Sequence, residues 1–114
     1  MPVDPVRLKS CRRDPGSLLA KQIEALAGVR ASVTVERERP WASITFTGTR
    51  HSLVVHWNGI ADPDVIKKLA RTLPEHEFAI PGHFIADLLV IEQTQTHLRL
   101  EALSITDPVQ SERS

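Results

Sequence analysis

Cysteine, long apolar runs and an excess of one charge are all scarce in this sequence. Cys11 is the single cysteine, which excludes an internal disulfide framework and makes a reducing compartment the simplest setting. The longest apolar stretch, residues 88–91, is far too short to span a bilayer, and residues 1–10 lack the apolar core of a signal peptide. We therefore predict a cytoplasmic protein that is not attached to a membrane.

The charge balance and the missing motifs narrow the function classes further. Lys plus Arg and Asp plus Glu number 14 each, so the chain has no net charge with which to attract nucleic acid over long distances. There is no G-x-S-x-G nucleophile frame, no zinc-type Cys/His spacing and no glycine-rich phosphate loop. The sequence thus predicts neither a cofactor nor a metal, and it contains no motif specific for a reaction.

What is present is the composition of one small globular domain. The chain has 114 residues, of which 41% are hydrophobic and 25% charged, values close to globular averages. A chain of this length forms one core. We predict a basic N-terminal arm over residues 1–13, a single domain over residues 14–106 and a polar tail over residues 107–114.

Two Asp-Pro pairs predict the starts of two helices. At Asp14-Pro15 and again at Asp62-Pro63, the aspartate can cap free N–H groups while the proline presets φ where no hydrogen bond is lost. The first helix should run from Pro15 to Ala27, with Gly28 closing it, and the second should end at Pro74. Each has its apolar residues on one stripe.

Alternating apolar and polar residues predict five strands. Three should form a meander after the first helix, with turns at Arg39-Pro40 and at Gly48-Thr49-Arg50, and the last two should form a hairpin over 84–93 and 97–105. The predicted fold class is α+β, in the order α-β-β-β-α-β-β. The sheet should be mainly antiparallel, with both helices packed on one face.

The last hairpin is apolar on both predicted faces, which a simple one-sided sheet does not explain. One parity contains Phe84, Ala86, Leu88 and Val90. Either a β-bulge turns part of the other parity inward, or these strands are central, or a symmetric partner covers them. We predict a homodimer whose interface includes the apolar side chains of that second parity: Ile85, Leu89, Ile91, Leu103 and Ile105.

Histidines and carboxylates gather around the turn between residues 75 and 87. His76, His83 and Asp87 are groups that a divalent metal accepts, but they lack the spacing that makes a metal motif specific. The interpretation that the residues favour is a structured turn in which His83 bonds to the backbone. Asp87 together with Glu101, on the paired strand, is a second candidate binding pair.

The chain resembles three protein families, one through these residues and two through element order alone. Asp87 followed by Glu101 resembles the Asp and Glu-x-Lys pattern of restriction-endonuclease-like nucleases, which would imply a Mg²⁺ site, but Leu103 occupies the lysine position. By element order alone the chain is similar to double-stranded RNA-binding domains and to type III secretion chaperones. Element order says little about function.

The sequence therefore predicts a non-catalytic interaction or adaptor module that acts as a homodimer. One alternative is a small metal-dependent enzyme or metal-binding module centred on the turn from His76 to Asp87. Another is a nucleic-acid-binding domain, which the neutral charge disfavours.

Overall fold

A computed structural model describes residues 14–107 of the chain. The predicted basic arm, with Cys11, and the tail from residue 108 lie outside the described residues. The elements, in chain order, are α1 (Pro15–Ala27), β1 (Ala31–Ala42), β2 (Thr47–Trp57), α2 (Pro63–Thr72), a 3₁₀ turn (Leu73–Glu75), β3 (His83–Gln93) and β4 (His97–Thr106). The strands form one antiparallel sheet in the order β1-β2-β4-β3.

Both predicted helix starts are confirmed. A side-chain oxygen of Asp14 accepts the backbone N–H of Ser17 at 2.7 Å, and one of Asp62 accepts that of Asp64 at 2.9 Å. These bonds satisfy N–H groups that have no partner inside the helix. Helix α1 ends at Ala27 as predicted, and Gly28 follows with φ 110°, a conformation that glycine adopts without strain.

The sheet has four strands, so the prediction of five is wrong. The chain passes straight through Arg39-Pro40, where a turn was expected, and forms one strand of twelve residues. Proline is tolerated there because β1 is an edge strand and loses no hydrogen bond on its open side.

The real turn between β1 and β2 covers residues 43–46. The N–H of Ser43 donates to the carbonyl of Phe46 at 2.8 Å, and the Ser43 hydroxyl oxygen accepts the N–H groups of Thr45 and Phe46. Ile44 alternates with polar neighbours in the sequence, as a half-buried strand residue would, but it is a fully exposed residue of this turn. Residues 48–50, expected as a second turn, lie inside β2.

The core lies between the helices and one face of the sheet, which we call the inner face. Leu19 and Ile23 of α1 are completely buried there against Leu53, Leu98 and Leu100 of the two central strands. Helix α2 and the 3₁₀ turn complete the same cluster with three apolar side chains: Ile66, Leu69 and Leu73. No helix within residues 14–107 has the length and apolar character needed to cross a membrane.

Two bulges in β3 change which of its residues face the core. The pairing with β4 shifts between Ile85 and Asp87 and again between Val90 and Glu92. Simple alternation placed Ile85 with Leu89 on one side, but the first bulge breaks that parity. Ile85 instead packs on the inner core together with Leu88 and Val90.

Candidate functional site

An acid–imidazole–hydroxyl relay crosses three adjacent strands; its imidazole and hydroxyl are completely buried, and its acid side chain is 39% exposed. On the inner face, His51 of β2 lies opposite Glu38 of β1 and beside Ser104 of β4. His51 Nδ1 lies 2.7 Å from Glu38 Oε2, and His51 Nε2 lies 2.8 Å from Ser104 Oγ. Both ring nitrogens therefore have a partner, and the relay connects three strands through side chains alone.

The first turn of α1 sits directly on this relay. A Cβ atom built on Gly16 would overlap Glu38 Oε2 and come within 3.1 Å of His51 Nδ1. Only glycine lets the helix approach so closely without displacing the carboxylate.

Glu38, His51 and Ser104 have the chemical order of a serine-nucleophile site, in which an acid orients a histidine that accepts the hydroxyl proton. His51 and Ser104 are, however, completely buried, whereas a nucleophile must reach its substrate. Ser104 Oγ also lies 3.4 Å from the Thr49 carbonyl oxygen, a second acceptor within the sheet. The arrangement therefore supports a structural cross-link of the sheet.

Sequence reasoning missed this relay because it placed residues 48–50 in a turn. The available signal was the position of His51, which shares its parity with the core residues Leu53 and Val55. A histidine in phase with buried strand residues predicts a buried imidazole that needs polar partners. Glu38 gave no such signal, because a bulge after Val35 shifts its parity.

The opposite side of the sheet, which we call the outer face, contains most of the residues proposed from the sequence as sites. Its rows follow from the strand register. A row consists of the paired residues of β1, β2, β4 and β3, in that order. Three of the rows are Trp41, Gly48, Ile105 and Phe84; Arg39, Arg50, Leu103 and Asp87; and Arg37, Ser52, Glu101 and Leu89.

Charge on the outer face is divided between its two halves. Arg37, Arg39 and Arg50 lie on β1 and β2, and Asp87 and Glu101 lie on β3 and β4. None of these five side chains forms an ion pair with another residue in the range 14–107. We call them the basic half and the acidic half.

In the next row of the outer face, which contains Arg99 and Glu92, the charged side chains pair with one another within the chain. Arg99 donates to Glu36 at 2.5 Å and to Glu92 at 3.5 Å, and His97 contacts Glu92 at 3.2 Å. The hydrogen bond from His97, aided by Arg99, lowers the pKa of Glu92, while the Glu36 carboxylate raises the pKa of Arg99. Arg99 therefore pairs with neither Asp87 nor Glu101.

The acidic half also displays large apolar side chains. Phe84, Leu89 and Ile91 of β3 are 42%, 48% and 52% exposed. Leu103 and Ile105, which we predicted in the same patch, are buried. Beside them a shallow concavity of about 260 Å³ is lined by residues that include Ser52, Ile91, Arg99 and Glu101.

The candidate metal residues lie apart from one another. The His76 ring packs edge-on against Phe78 with centroids 4.6 Å apart, and His83 Nδ1 lies 3.1 Å from the Pro81 carbonyl oxygen. The predicted backbone bond of His83 is thus confirmed, while Asp87 points to the outer face. Across residues 14–107, no three His, Cys, Asp or Glu side chains converge as ligands for a metal ion.

Comparisons with protein-family models, with curated proteins and with solved structures gave no match. The class of the protein is therefore defined by its own architecture. It is an α+β protein in which a four-stranded antiparallel sheet packs its inner face on two helices.

Proposed function

We propose that this protein is a non-catalytic interaction module that works as a homodimer, with the outer face of the sheet as the subunit contact. The observation that carries the proposal is the exposure of Phe84, Leu89 and Ile91 on one face of one strand. Apolar side chains grouped in this way are typical of a surface that is covered in the working assembly.

The size of the outer face is adequate for a stable contact. Four strands about 4.8 Å apart, paired over nine positions between β2 and β4, give a face of about 19 Å by 30 Å. Laying one such face on another covers a footprint of about 1,100 Å² over the two faces, against the roughly 1,000 Å² of accessible surface expected for a specific interface. Leu103 and Ile105, within that footprint, are already buried in the single chain, so the area that a partner covers lies mainly on the flanking side chains. Two sheets stacked face to face are also a stable layer arrangement.

Sedimentation equilibrium over a concentration series tests the proposal. The wild-type chain should sediment at twice its 12.7 kDa mass, and Phe84→Asp should shift it to the monomer because each of two symmetric contacts gains a buried, unpaired carboxylate. Val65→Asp is the matched control. Val65 is also an exposed apolar residue, at 42%, but it lies on α2, on the other side of the molecule.

A wild-type chain that stays monomeric at high micromolar concentration would overturn the proposal. If that monomer becomes a dimer when residues 1–13 are deleted, the arm of the same chain is the occupant of the outer face.

The metal-dependent alternative remains a separate hypothesis with its own test. Zn²⁺, Mn²⁺ or Mg²⁺ added to the purified protein should raise the melting temperature if residues around His76 and Asp87 bind a metal. His76→Ala is the variant that should abolish such a shift.

A further inference from the structure

We infer that the two subunits are related by a two-fold axis that runs along the strands, so that the basic half of each outer face covers the acidic half of the other. This inference rests on the proposed homodimer and specifies its geometry. Its central contact joins Arg39 of one protomer to Asp87 of its partner, twice per dimer.

The strand order dictates which residues meet under this axis. Rotation by 180° about a line between β2 and β4 exchanges the two sides of the sheet and keeps each row at its own height. The β1 end of a row then faces the β3 end of the same row in the other subunit. Arg39 meets Asp87 in this arrangement, and Trp41 meets Phe84.

Electrostatic repulsion disfavours the other two-fold axis that could relate two stacked sheets, the one that runs across the strands. An axis across the strands would lay β1 over β1 and β2 over β2, so that the basic half covers another basic half. Like charges facing each other in an interface are strongly unfavourable. The axis along the strands instead places Arg39 of each chain opposite Asp87 of the other, and neither of these side chains forms an ion pair within residues 14–107.

Edge-to-edge pairing of β3 with its own copy is another symmetric arrangement. The two bulges in β3 interrupt the regular row of backbone groups that such pairing requires, as bulges on edge strands commonly do. It would also leave the exposed side of Leu89 and Ile91 in water. The face-to-face arrangement covers these side chains.

Because a two-fold axis makes the Arg39–Asp87 contact occur twice, exchanging the charges of these two residues tests the inferred axis. Arg39→Asp alone should place two carboxylates at each of the two equivalent contacts, and Asp87→Arg alone should place two guanidinium groups there. Each variant should weaken dimerisation by roughly tenfold or more. The double variant Arg39→Asp/Asp87→Arg restores opposite charges at both contacts and should return the dimer dissociation constant to within about threefold of the wild-type value.

Lys67→Asp on the exposed side of α2 is the matched charge control and should leave dimerisation unchanged. Sedimentation equilibrium gives the dissociation constants, and far-ultraviolet circular dichroism verifies that each variant is folded. Arg39 and Asp87 are both exposed in the single chain, so these substitutions should not unfold it.

The outcomes separate this inference from the proposal on which it rests. If Phe84→Asp produces monomers while both charge variants dimerise like the wild type, the homodimer stands and the inferred axis is wrong. Single variants that weaken the dimer without rescue in the double variant also overturn the Arg39–Asp87 contact. A monomeric wild type that binds a labelled oligonucleotide, and loses that binding in Arg39→Asp, would overturn both and assign the basic half to nucleic acid.

Discussion

At the scale of single residues, the buried His51 ring has a partner at each of its nitrogens. The Nδ1–H group donates to Glu38, and the Ser104 hydroxyl donates to Nε2. The Thr49 carbonyl oxygen lies 3.4 Å from the same hydroxyl oxygen. No buried side-chain polar atom in the described part of the chain lacks a partner.

Truncating this relay should destabilise the fold strongly. His51→Ala leaves a cavity and removes two hydrogen bonds, so the free energy of unfolding should fall by ~2–4 kcal/mol. Ser104→Ala leaves His51 Nε2 with no partner and should cost ~1–3 kcal/mol. The exposed His56→Ala is the control, expected within about 0.5 kcal/mol of wild type in urea denaturation. Equal stability of His51→Ala and His56→Ala would contradict the structural role of the relay.

The exposed carboxyl of Glu92 should titrate under the control of His97 and Arg99. Because its pKa is lowered in the folded chain, it contributes stability above the ordinary glutamate pKa and loses that contribution as the pH falls through the lowered value. His97→Gln or Arg99→Gln should move the pKa of Glu92 back up towards its ordinary value. Carbon-13 NMR titration of the Glu92 carboxyl measures this, and an unchanged pKa in both variants would rule out these contacts.

At the scale of elements, sequence reasoning succeeded where a local signal determines the structure. Asp-Pro pairs at the helix starts depend only on neighbouring residues, and the hairpin of residues 83–106 is bounded by turn residues on both sides. At Pro40 the sequence wrongly predicted a turn, because whether a proline ends a strand depends on whether that strand lies at the sheet edge. Strand order is a property of the whole fold and is absent from the local pattern.

The close approach of α1 to β1 gives a prediction for paired substitutions. Gly16→Ala should displace the Glu38 carboxylate from His51 and cost ~1–3 kcal/mol, despite the better helix propensity of alanine. In a Glu38→Ala background the obstacle is absent, so the same change should be neutral or stabilising by up to ~1 kcal/mol. Urea denaturation of the four chains measures the coupling. Equal effects of Gly16→Ala in both backgrounds would show that Glu38 is not the obstacle.

At the scale of the whole molecule, the two-sided apolarity of the last hairpin has more than one cause. One bulge turns Ile85 inward, and Leu103 and Ile105 are buried, whereas Leu89 and Ile91 remain exposed on the outer face. The alternation of apolar and polar residues showed that the last hairpin has more apolar residues than one face needs. It could not show which of them face the core and which face outward, because bulges are not visible in the sequence pattern. The division of charge on the outer face was also hidden, since it depends on strand order.

Cysteine cross-linking tests the face-to-face dimer most directly. Within one chain, positions 39 and 87 are separated by three strand spacings of about 4.8 Å. In the proposed dimer they face each other across the distance of about 10 Å between two stacked sheets, which is too long for a direct disulfide but is spanned by a short bifunctional thiol reagent. In a Cys11→Ser background, this reagent should therefore link Arg39→Cys/Asp87→Cys into a covalent dimer of twice 12.7 kDa, whereas each single-cysteine chain and Lys67→Cys/Asp87→Cys should not be linked. A chain that stays monomeric on a non-reducing gel and in sedimentation would contradict the account.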